Sequence, residues 1–166
     1  MSEASGISVG PSSLRVDRAK AKGSVAIAVC GLTIILALVI GVGVPGGLVL
    51  RHIVQTLPFW AVVWLGFRHS RLTGWVGLPL FLFWFAAMAL IWLYLFGIAH
   101  VLSGHFSGVE KAMTLIVGIA SLVAIGFFVL TRTALSAAKA ITLFIALAAI
   151  QWICFRISFL PEIAHR

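Results

Sequence analysis

The chain has 166 residues, of which 62% are hydrophobic and 10% charged, with a mean hydropathy of +1.17 and a formal net charge of +8. This composition excludes an ordinary soluble domain. It also argues against a nucleic-acid partner, because the basic residues stand in an N-terminal tail and between apolar runs, where they read as topology signals and contacts to anionic lipid.

Residues 1–23 are rich in Ser, Gly and Ala and carry Arg15, Arg18, Lys20 and Lys22 against Glu3 and Asp17, the composition of a basic disordered tail. Beyond it, uncharged runs predict an all-α polytopic membrane protein, a bundle of five transmembrane helices spanning about 25–44, 46–67, 75–99, 109–130 and 139–160. Residues 24–161 then form one transmembrane domain, followed by a short external tail, 162–166. The first span imitates a secretory signal, but its apolar core exceeds the usual ~7–15 residues, so it reads as an uncleaved helix.

Pro45, Gly46 and Gly47 end the first helix, and Pro45 suits the first turn of the next. That second segment is the ambiguous one, since Arg51, His52, Gln55, Thr56 and Pro58 interrupt it; four spans plus a re-entrant segment is the alternative. The third, Trp75 to Ala99, is the clearest, with Pro79 near its start. Its aromatic cluster Phe81, Phe83, Trp84 and Phe85 reads as core or lipid packing. Ser107 and Glu110 have the S-x-x-E spacing of a capping box, which starts the fourth span near Gly108. Small residues Gly118, Ala120, Ser121 and Ala124 on that span allow close helix approach within the chain. Cys30 and Cys154 lie at different depths, beyond disulfide reach.

Five crossings place the tail, the Arg68/Arg71 loop and the Arg132/Lys139 loop on one side, with eight of the twelve Lys and Arg residues. The positive-inside rule then predicts a cytoplasmic N-terminus and an external C-terminus in a cell inner (plasma) membrane.

The four acidic residues, Glu3, Asp17, Glu110 and Glu162, all avoid the span interiors, which disfavours proton-coupled carriers and intramembrane aspartyl proteases. No Gly-x-Ser-x-Gly, His-Glu-x-x-His or phosphate-loop motif occurs. His100 and His105 straddle a Ser-Gly loop, which is poor metal-site spacing. The coherent polar group is Arg51, His52 and Gln55 on the second span, His100 at the end of the third, and Gln151 with Arg156 on the fifth, all in the outer half.

The expected function is a non-catalytic accessory or assembly subunit, or a lipid-interacting scaffold, of a larger membrane complex. Its partners would be membrane lipids, including anionic headgroups, and a membrane protein. The alternative is a protein that binds a lipid, a quinone or a b-type haem through the outer polar group, with Arg51 and Arg156 jointly holding an anion. A membrane-embedded lipid-modifying enzyme is the third reading.

Overall fold

A computed structural model describes the backbone over residues 11–98 and 106–164, and side chains over 21–98 and 106–163. Helix α1 (Pro11–Leu36) continues as a π-helix over Ala37–Gly43 and closes with one turn, α2 (Val44–Gly46). Then come α3 (Val49–Phe67), α4 (Thr73–Leu95), α5 (Gly108–Thr131), α6 (Ala137–Ile157) and the short α7 (Pro161–Ala164). Five of these stretches are long and apolar enough to cross a membrane, and no strand occurs among the described residues.

Helical structure begins at Pro11, inside the stretch that composition assigns to a tail. Once a span has nucleated a helix, propagation back through Arg15, Ala19, Lys20, Ala21 and Lys22 adds good helix formers at little cost. Pro45 also differs from expectation: it ends the first span instead of starting the second. Its ring and missing N–H conflict with the carbonyl of Gly41, and the widened π turns before it take up that conflict. Pro79 lies well inside α4, past its start at Thr73, so the Trp75 carbonyl loses its helical donor.

Three helix ends share one device. At Gly47 (φ 65°), His69 (φ 52°) and Gly97 (φ 73°) the chain turns left-handed. The N–H groups of Leu48, Ser70 and Ile98 then reach back to the carbonyls of Gly43, Leu65 and Leu93 at 2.8–2.9 Å. These are Schellman turns, which satisfy carbonyls that a helix end leaves open.

The segment that composition left ambiguous is one continuous helix, long and apolar enough to cross a membrane. Helix α3 is 19 residues long, about 28 Å, and lies along α1 from one end to the other. Near one end His52 stands against Gly43; near the other a Cβ on Gly66 would lie 2.6 Å from the Ser24 carbonyl. Helix α1 packs on α3 and α5, α4 packs on α5 and α6, and α6 lies at the edge against α3 and α4. Ile34, Phe59, Val62, Leu80, Phe81 and Val117 form the centre of the core. The aromatic cluster divides as packing requires: Phe81 meets Phe59 in a tilted contact at 5.3 Å, Trp84 is buried, and Phe83 meets Phe155 of α6. Ala120, Ser121 and Ala124 are buried within this chain, and both cysteines are free.

Ser107 caps α5 as its spacing predicts. Its Oγ accepts from Glu110 N–H at 3.2 Å, and its own N–H donates to Glu110 Oε2 at 2.7 Å. Ser107→Ala is expected to destabilise the folded chain by about 1 kcal/mol in a detergent melt. Ser136, the N-cap of α6, makes no side-chain cap bond, so Ser136→Ala should cost less.

Candidate functional site: the polar seam between α3 and α6

On a helix, positions four apart share a face, and Arg51 and Gln55 of α3 use that relation to face α6. The matching row is Gln151 of α6 with Ser158 and Phe159 just past its end, at i, i+7 and i+8. The two faces meet through polar groups. Gln55 Nε2 donates to Ser158 Oγ at 2.9 Å, and Ser158 Oγ donates to the Phe155 carbonyl at 2.6 Å. Gln151 Nε2 donates to the Gln55 carbonyl at 3.1 Å. Gln55, Gln151 and Ser158 are all buried, so each bond forms away from competing water.

Arg51 closes one end of this seam. Its guanidinium carbon lies 3.9 Å from the centre of the Phe159 ring, a cation–π contact that stands where a carboxylate partner would otherwise be. Among the described residues four buried side-chain polar atoms have no hydrogen bond, and two of them, Arg51 Nε and Gln151 Oε1, belong to this seam.

The remaining members of the sequence-derived group stand apart. His52 faces the first span, with its Nδ1 2.8 Å from the Leu48 carbonyl, while Thr56 Oγ1 donates to the His52 carbonyl at 2.9 Å. Arg156 is exposed, one position off the seam-facing row of α6, in the last helical turn, where its charge complements the helix dipole. His100 falls outside the described residues. The structure therefore joins Arg51, Gln55 and Gln151, and separates His52 and Arg156 from them.

Sequence reasoning missed Ser158 and Phe159. The signal was the spacing from Gln151, which places all three on one face, but Ser158 lies beyond the last helical residue and carries no charge to draw attention. Chemically, the seam resembles a staple more than a pocket, because most of its donors are spent on the chain itself. Among the described residues no three of His, Cys, Asp and Glu gather as a metal site would require. In comparison with known proteins, no family model, no curated protein and no solved structure matches this chain.

Proposed function

We propose that this chain is a non-catalytic accessory or assembly subunit, or lipid-interacting scaffold, of a larger complex in the cell inner membrane, with its N-terminus cytoplasmic and its C-terminus outside. One observation carries the reading: α6 has 21 residues, yet the only one of them buried is Gln151. The polar seam fixes this helix at the bundle edge, and its exposed Ile141, Ile145, Trp152 and Ile153 remain free for lipid or a neighbouring membrane helix. The orientation rests on the basic residues gathered at one end.

Purification in mild detergent tests this reading. A membrane protein should co-purify in fixed ratio and dissociate when Ile145 and Ile153 are replaced by Lys, while the variant chain still folds. A chain that runs alone, or a partner that ignores both substitutions, would overturn it.

The unpartnered Arg51 Nε, a buried donor, favours a second reading, in which the seam holds an anionic lipid, a quinone or a haem propionate. Native mass spectrometry of Arg51→Gln and Arg156→Gln decides it. Ligand retention unchanged in both variants leaves the arginines only a snorkelling role.

A further inference from the structure

At the end of the bundle opposite the Arg51 seam, three separate pieces of chain enclose a second space. The cavity is about 260 Å³ and is lined by Ser24 and Ile27 of α1, His69, Arg71 and Trp75 around the α3–α4 turn, and Phe128, Thr131, Arg132 and Thr133 where α5 ends. This far exceeds the ~10–15 Å³ that a single water needs. Its apolar wall is Ile27, Trp75 and Phe128, the last two in edge contact at 5.0 Å. Its rim is basic.

The wall is tied together by its own hydrogen bonds. Ser24 Oγ donates to the Ser70 carbonyl at 3.2 Å, Trp75 Nε1 to the Thr133 carbonyl at 3.0 Å, and Thr133 Oγ1 to the Arg71 carbonyl at 3.0 Å. Thr131 Oγ1 is spent on the Phe127 carbonyl at 2.7 Å. With hydroxyl and indole donors used inside, the groups left to meet a guest are the side chains of Arg71, Arg132 and His69. Neither guanidinium has a hydrogen bond or an ion pair among the described residues, and no carboxylate lines the space among them.

From this arrangement we propose that the cavity binds the phosphate diester headgroup of an anionic phospholipid. Two forked guanidiniums match phosphate oxygens, and the apolar wall of Ile27, Trp75 and Phe128, on the core side of the space, gives the glycerol carbons a surface to rest on. The position at the ends of three spans is the depth at which lipid phosphate sits. This site is independent of the α3–α6 seam and of any protein partner, so it can fail while the proposed function stands, and the reverse.

The test is native mass spectrometry of the full chain, released from detergent with dioctanoyl phosphatidylglycerol, dioctanoyl phosphatidylcholine or inorganic phosphate. The wild-type chain should retain phosphatidylglycerol over phosphatidylcholine, and Arg71→Gln and Arg132→Gln should each lower that retention about tenfold. Both side chains are exposed and unbonded, so these variants should fold as the parent does. Arg68→Gln, whose guanidinium lies over Trp64 and outside the cavity, should leave retention unchanged. An equal loss in Arg68→Gln would reduce the effect to general surface charge and overturn the site. Inorganic phosphate that displaces phosphatidylglycerol at equal concentration would overturn the lipid as its source. Asp17 lies one turn before Ala21 on α1; if only Asp17→Asn retains phosphatidylglycerol, the chain's own carboxylate closes the cavity and the proposal fails.

Discussion

Replacing Gly66 by valine is expected to produce the largest loss of stability of any single change in the bundle, about 3 kcal/mol or more in a detergent melt. At Gly66, α3 comes so close to α1 that a Cβ would lie 2.6 Å from the Ser24 backbone carbonyl, and it would also overlap Ala28 Cβ and press on Thr73. A backbone oxygen cannot rotate aside, so the helices themselves must separate. Separation would open the Ser24–Ser70 hydrogen bond and the dispersion contacts around Ala28, which is fully buried. Association of helices in lipid depends on such packing, because burial away from water contributes little there. Alanine at the same position should cost less, about 1–2 kcal/mol, since its better helix propensity offsets part of the clash. Gly126→Ala is the control: nothing lies within 4 Å of the point its new methyl group would occupy, so a neutral or slightly stabilising result is expected.

Gln151→Ala is the second large effect expected, about 2 kcal/mol, and it should be local. The side chain is fully buried, and its removal deletes the hydrogen bond to the Gln55 carbonyl and leaves a void between α3 and α6. A single interhelical hydrogen bond in a membrane contributes roughly 0.6–1.7 kcal/mol, so the void supplies the rest. Because α6 contributes no other buried residue, hydrogen exchange should rise along Ala137–Ile157 while α1 and α3 keep their protection. Gln151→Leu fills the void and removes the unpartnered Oε1, so it should be milder than Ala. Equal loosening of all five helices would show that α6 is integral to the core.

The five spans and the capping box of α5 were legible because both are local signals: long uncharged runs, and a three-residue spacing. Arg51 and Gln55 were paired by helical periodicity, and both do face α6. Pro45 was misplaced because a proline after a π-helix and a proline in a first helical turn look the same in sequence. His52 was grouped with Arg51 by its depth along the span, although neighbouring residues on a helix diverge by about 100° and these two face different partners. The basic cavity was illegible for a further reason. Its residues come from α1, the α3–α4 turn and the end of α5, and only the packed bundle brings Ser24 to Ser70 and Thr133 to Arg71.

Those same contacts bear on the central claim, five crossings with the basic ends on one face. The start of the first span, the turn at Ser70 and the turn at Thr133 meet at one end of the bundle, as two antiparallel pairs of full-length helices require, and α6 then adds the fifth pass. Reporter fusions after Arg68 and after Arg166 measure this most directly. The account predicts that the fusion at Arg68 reports the cytoplasm and the fusion at Arg166 reports the outside; both reporters on the same side would contradict it.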